Sequence, residues 1–144
     1  MPTRGRKAMH GEPKIEEFLE QRRFALAGLS RGGGKWGNRV MRDLTDKGYE
    51  ILPVHPAADA IDGVRCFSSL ADLPEKVEGL ILVVPPKATE NLVREAAELG
   101  IPRIWMQPGA ESPEAVRLCR KHGIDVVFGE CIMVRSRRPP NPVK

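Results

Sequence analysis

Arg31, Lys35 and Arg39 are three cations gathered behind an apolar run, Phe24 to Leu29, that reads as a buried strand. The run breaks at Ser30, and three consecutive glycines, Gly32 to Gly34, follow Arg31. Beyond them Trp36, Val40, Met41 and Leu44 recur at helical spacing. A strand, a glycine turn and a helix start present backbone N–H groups and a positive helix end, which together suit a phosphate. The chemistry implied is anion binding, and His55 is placed to join the cations.

The spacing narrows the ligand. The dinucleotide fingerprint G-x-G-x-x-G should follow its strand directly. Here Gly28-Leu-Ser30-Arg-Gly-Gly33 has serine in the middle, and the formal match Gly32, Gly34, Gly37 begins four residues late. A nicotinamide dinucleotide site also expects an acid at the end of the second strand. That end is Val54-His55-Pro56, and Asp59 comes only after the turn. An NTPase P-loop needs GxxxxGK with Ser or Thr next. Lys35 does follow Gly34, but position 29 is Leu and position 36 is Trp. The surplus of cations instead suits a ligand with an extra ribose phosphate. Coenzyme A has that layout, and NADP competes on charge alone.

The elements that must hold these residues alternate along the chain. Strand-like runs are Phe24–Leu29, Tyr49–His55, Gly79–Val84, Ile101–Met106 and Ile124–Phe128. Pro53 sits awkwardly in the second, because proline cannot donate to a ladder. Val64–Phe67 reads as a short edge strand, and Ser68 or Ser69 as the cap of a brief helix. Helical segments end at Gly48, run from Thr89 to Leu99, and start at Ser112-Pro113. The fold expected is α/β: a doubly wound parallel sheet, Rossmann-like, in three α/β/α layers and one domain. Its boundaries are a basic tail over 1–14, a folded body over 15–134 and a Pro/Arg-rich tail over 135–144. Ligands of such sheets lie across the carboxyl ends of the strands.

The net charge of +4 belongs to those tails. Arg4, Arg6, Lys7 and Lys14 face only Glu12 in the first, and Arg135, Arg137, Arg138 and Lys144 stand without an acid in the last. The body is net negative, which argues against a specific nucleic-acid protein. No apolar run approaches a membrane span. The three cysteines, Cys66, Cys119 and Cys131, show no metal-ligand spacing. A reducing, cytoplasmic location is expected. No catalytic set assembles from His10, His55 and His122. Trp36 and Trp105 read as packing residues, Trp36 close enough to the loop to touch a ligand. Cys131 follows the last strand at the ligand edge and is a candidate redox thiol. The other reading of Cys131 is a small buried hydrophobe.

GLSRGGGKWGNRV, LPVHP, LILVVPP, IWMQPGAES and VVFGECIM, in this order, resemble the short single-domain CoA-binding proteins. These are similar to the N-terminal domain of the succinyl-CoA synthetase alpha subunit. The resemblance covers about residues 15–134 and implies a domain that holds CoA across the strand ends. It implies that Gly28, Ser30 and Arg31 line the phosphate turn and that Lys35, Asn38 and Arg39 open the helix facing it. His55 and Pro56 would sit near the adenosine. Val84, Pro85 and Pro86 would flank the pyrophosphate and pantetheine, continued by Gln107, Pro108 and Gly109. His55 stands where such proteins often have Asn, and the triple glycine reads as an insertion. The synthetase's domain with its phosphorylated histidine has no counterpart here, so ligase activity does not carry over. The expected role is binding of CoA or an acyl-CoA as a non-catalytic carrier, sensor or partner, with a homodimer left open. The alternative is a small NAD(P)-binding oxidoreductase or a redox-sensing nucleotide-binding module.

Overall fold

The computed structural model describes residues 11–32 and 35–139. Gly33 and Gly34 of the triple glycine, and residues 1–10 (His10 among them) and 140–144 of the expected tails, lie outside the described residues. Five parallel strands form one sheet in the order β2-β1-β5-β6-β7. They are β1 (Arg23–Ala27), β2 (Glu50–Val54), β5 (Gly79–Leu82), β6 (Arg103–Met106) and β7 (Asp125–Phe128). A short antiparallel hairpin, β3 (Ala60–Ile61) and β4 (Val64–Arg65), lies beside them. The helices are α1 (Gly11–Leu19), α2 (Trp36–Lys47), α3 (Pro86–Leu99), α4 (Pro113–Lys121) and the single-turn α5 (Ile132–Arg135).

Strand periodicity separates two cores. Ala25, Ala27, Leu80, Leu82, Ile104, Met106 and Val126 face a layer of α3 and α4. Phe24, Leu26, Ile81, Trp105 and Val127 face a layer of α1, α2 and α5. Burial on both faces is why these strands read as unbroken apolar runs. The three-layer, doubly wound architecture is as expected. In the second core the Phe18 and Phe24 rings stack at 4.6 Å, and Trp105 meets Phe18 edge-on at 5.3 Å. Burying each such ring stabilises the fold by roughly 1.5–3 kcal/mol.

Several boundaries moved for identifiable reasons. α1 begins at Gly11, inside the segment read as a tail, because Ile15 and Phe18 share an apolar face that packs on the sheet. At the other end Ser136 is buried, and Lys47 Nζ donates to its Oγ at 2.7 Å. α3 starts at Pro86 rather than Thr89, since proline suits the first position of a helix. Pro53 pairs within β2 without conflict. Its carbonyl faces the outer edge and accepts from Phe67 N–H at 2.9 Å, so the missing N–H costs β1 nothing. Of Val64–Phe67, only Val64 and Arg65 form a strand, and Phe67 makes a single bridge to Val54. Ser68 and Ser69 do not cap the following 3-10 turn, Leu70–Asp72; both hydroxyls donate to the Asp72 carboxylate instead.

Candidate functional site

Strand order reverses between β1 and β5, and the carboxyl ends of open sheets gather ligands at such a point. Two glycines shape it. Gly28 has φ +131°, and a Cβ there would lie 2.3 Å from Val83 O at the end of β5. A Cβ on Gly37 would lie 2.3 Å from Gly28 O. The start of α2 therefore presses directly on the turn after β1, backbone against backbone. This pair, nine residues apart, does the work that the fingerprint spacing assigns to other glycines. Gly37 was legible only as part of the late formal match.

The turn is held from beneath. Asn38 is fully buried, and its Oδ1 accepts from Ser30 N–H at 2.9 Å while its Nδ2 donates to Ser30 O at 3.0 Å. It clamps the turn after β1 rather than facing the cleft. Ser30 Oγ in turn accepts from Gly32 N–H at 3.2 Å. Lys35 occupies the N-cap of α2 and supplies no side-chain cap, and the first turn carries no acid. α3 likewise starts uncapped, at Pro85. Both positive helix ends remain available to an anion. Arg31 and Lys35 have no acidic partner among the described residues. Arg39 lies over the Trp36 ring, 4.7 Å from its centroid.

Three adjoining clefts of about 530 to 590 Å³ run along this edge. The central one is lined by Gly28, Ser30, Arg31, Lys35, His55, Val84 and Pro85. His55 is shared with a polar cleft that continues over Pro56, Asp59, Arg65 and Ser68. Trp36, Val84 and Pro85 are shared with an apolar cleft that continues over Pro108, Gly109 and Cys131. The trough is thus cationic in the middle, polar at one end and apolar at the other. His55 Nδ1 accepts from the N–H groups of Ala57 and Ala58, each at 3.0 Å. That fixes the neutral ring as the tautomer with its proton on Nε2.

Of the expected residues, Asn38 and Gln107 are buried behind the trough, whereas Arg39 and Pro86 are exposed but outside the three clefts. Gln107 is fully buried; its Oε1 accepts from Ile132 N–H at 2.6 Å and its Nε2 donates to Cys131 Sγ at 3.4 Å. It therefore positions the thiol. Trp105 is buried as expected, with Nε1 donating to Glu130 O at 3.0 Å. Trp36 is not a packing residue: it is 45 % exposed, because its position at the helix start faces the clefts. Arg65, with its guanidinium 4.9 Å from the Phe67 ring centroid, was missed. Its signal was faint, one cation in a two-residue strand. Burial pushes the Cys119 thiol up to about 12, and burial also raises Cys66. Both are buried, and Cys131 is the half-exposed one. Among the described residues no group of side chains could hold a metal ion.

A parallel sheet with a glycine turn, two open helix ends and an elongated trough at its switch point defines a nucleotide-type binding domain. A family model for the CoA binding domain matches residues 22–137, and the chain belongs to that family. It is 30 % identical over 122 residues to the uncharacterised protein YneT of Bacillus subtilis, covering 84 % of this chain and 90 % of that one. It is 31 % identical over 129 residues to an ADP-forming acetate–CoA ligase II of Archaeoglobus fulgidus, covering 81 % of this chain but 19 % of the ligase. The structure of a conserved hypothetical protein from Pyrococcus furiosus matches with a TM-score of 0.76 at 44 % identity, over 80 % of this chain and 99 % of that one. No described helix is long and apolar enough to cross a membrane.

Proposed function

We propose that this domain binds coenzyme A, or an acyl-CoA, along the carboxyl edge of its sheet, as a carrier, sensor or partner rather than as a catalyst. The observation that carries this reading is the continuous trough from Pro56 through Arg31 and Lys35 to Cys131. Its three stretches match the three parts of CoA in order. The polar end suits the adenosine and its ribose phosphate. The glycine turn and the open end of α2 suit the pyrophosphate. The apolar cleft under Trp36 suits the pantetheine arm, which ends in a thiol.

Asp59 lines the polar cleft and supports a second reading, a nicotinamide dinucleotide with its ribose hydroxyls on that carboxylate. Thermal-shift titration with CoA, acetyl-CoA, NAD, NADP and ATP separates the two. Stabilisation by CoA or acetyl-CoA is expected. Stabilisation by NADP with no response to CoA would overturn the choice.

At the apolar end, Cys131 is placed to exchange with CoA disulfide. Its sulfur attacks one sulfur of the disulfide, forming a Cys131–CoA bond and releasing one CoA as its thiol, which takes the proton Cys131 loses. Intact mass after incubation with CoA disulfide should rise by one CoA less two hydrogens, and Cys131→Ser should abolish the rise. An adduct that persists in the serine variant removes Cys131 from the proposal.

A further inference from the structure

We propose that Asp62, at the tip of the β3–β4 hairpin, is a positioning residue that sets the phosphate turn through Asn38. The ligand-affinity half of this inference rests on the CoA reading, and the ligand-free half does not. Asn38 Nδ2 has two protons. One goes to Ser30 O, and the other goes to Asp62 Oδ2 at 3.2 Å. Arg42 NH1 reaches the same carboxylate oxygen at 3.3 Å. The arrangement selects one orientation of the Asn38 carboxamide. If the group flipped, its oxygen would face both Ser30 O and the Asp62 carboxylate. Its NH2 would then oppose Ser30 N–H. Four polar groups would lose their partners in a site where Asn38 is fully buried.

Ser30 N–H and C=O therefore point where they do because Asp62 holds Asn38 in place. Ser30 begins the turn that carries Arg31 and, through its hydroxyl, orients Gly32 N–H. The same hairpin supplies Arg65 to the polar cleft. One carboxylate thus links the wall of the adenosine end to the floor of the phosphate turn.

Asp62 is also the one described non-glycine residue with positive φ, +54°, followed by Gly63 at +76°. An Asp-Gly pair suits a tight hairpin turn with both central residues in this region. Asn and Gly serve that turn equally well, so substitutions can separate the turn from the carboxylate. Asp62→Gly keeps the backbone permissible and removes the acceptor. Asp62→Asn keeps both.

The test measures amide hydrogen exchange in the ligand-free full chain, then CoA affinity by calorimetry. In Asp62→Gly the Ser30 amide should exchange at least about tenfold faster, with β5 and β6 amides unchanged, and CoA should bind roughly tenfold more weakly, the scale of one lost buried hydrogen bond. Asp62→Asn should restore Ser30 protection and bring affinity back to within about threefold of the wild type. Unchanged Ser30 exchange in Asp62→Gly overturns the proposal whatever the ligand proves to be. Faster exchange with unchanged CoA affinity overturns its functional half. Should Asp62→Gly also expose β5 and β6, the ratio decides: a rise in exchange at Ser30 greater than that at β5 and β6 supports the link, and an equal rise at all of them rejects it.

Discussion

The two edges of the sheet are built on opposite electrostatic plans. At the amino edge, charges close on one another. Arg23 Nε pairs with Glu50 at 3.0 Å and Glu75 at 3.4 Å, and Arg103 reaches Glu17 at 3.3 Å and Glu78 O at 3.1 Å. Glu78 Oε1 accepts from the N–H groups of Arg22 and Arg23, at 2.7 and 3.0 Å. At the carboxyl edge, Arg31 and Lys35 lie at the positive end of α2 without acids to meet them among the described residues. A cation in that position is mildly unfavourable to the helix. The contrast extends within the carboxyl edge itself. α4 also begins there, yet Ser112 caps it by accepting from Ala115 N–H at 3.0 Å. Of α2, α3 and α4, the two that flank the switch point, α2 and α3, are left open. One edge pairs its charges within the chain, and the other leaves Arg31 and Lys35 without an acidic partner among the described residues.

The largest effect should come from the glycine contact at the open edge. Gly37→Ala places a Cβ against Gly28 O, and backbone cannot step aside as a side chain would. We expect a loss of about 2–3 kcal/mol in urea unfolding and no measurable CoA binding. A variant that binds CoA normally would show that the close approach of α2 to the turn is not what shapes the site.

Next comes a pair of substitutions, one at each edge. Lys35→Asp installs a favourable N-cap where the wild type has a poor one. Stability should rise by about 0.5–1 kcal/mol, while CoA affinity falls by more than about tenfold. Arg103→Ala should do the reverse. It removes contacts to Glu17 and Glu78 O, costs about 1 kcal/mol and leaves CoA affinity unchanged. Urea midpoints and calorimetric titrations on both proteins check this. If Lys35→Asp lowers stability, the claim that the open edge trades stability for binding is lost.

How much of this was legible in the residues follows from how local each signal is. Runs such as Gly79–Leu82 announce strands covered on both faces, and Ser112-Pro113 announces a capped helix, because each depends on neighbours in sequence. α1 is legible in principle, since Ile15, Phe18 and Leu19 share a helical face, but the charges around them give the segment the composition of a tail. Asp62-Gly63 is a hairpin signal of the same local kind. Asn38 and Gln107 are different. Their types and positions pointed at the site, yet the structure turns both inward, one beneath Ser30 and one beneath Cys131. Whether an amide faces a ligand or supports the residue that does is decided by contacts across 8 and 24 residues, and no spacing rule carries that. The exposure of Trp36 is hidden for the same reason: helical spacing says which face a residue shares, not what lies opposite that face.

The smallest effect sharpens the comparison from the closed edge, through pH. Burial alone would raise the Glu78 carboxyl, but the N–H groups of Arg22 and Arg23, with the charges of Arg23 and Arg103 nearby, leave it below its ordinary value. A carboxylate with a lowered pKa in the folded state contributes stability that is complete above its unfolded pKa. That contribution is lost as pH falls through the folded value. Glu78→Gln should therefore cost stability at neutral pH, and the gap to wild type should narrow on acidification below about 4.5, the ordinary glutamate value. CoA affinity at neutral pH should not change, because no atom of Glu78 lies near the trough. Urea midpoints at neutral and acid pH, with one titration at neutral pH, measure both. A gap that widens with acid would reverse the sign assigned to Glu78, and an altered CoA affinity would mean that the two edges are coupled through the strands between them.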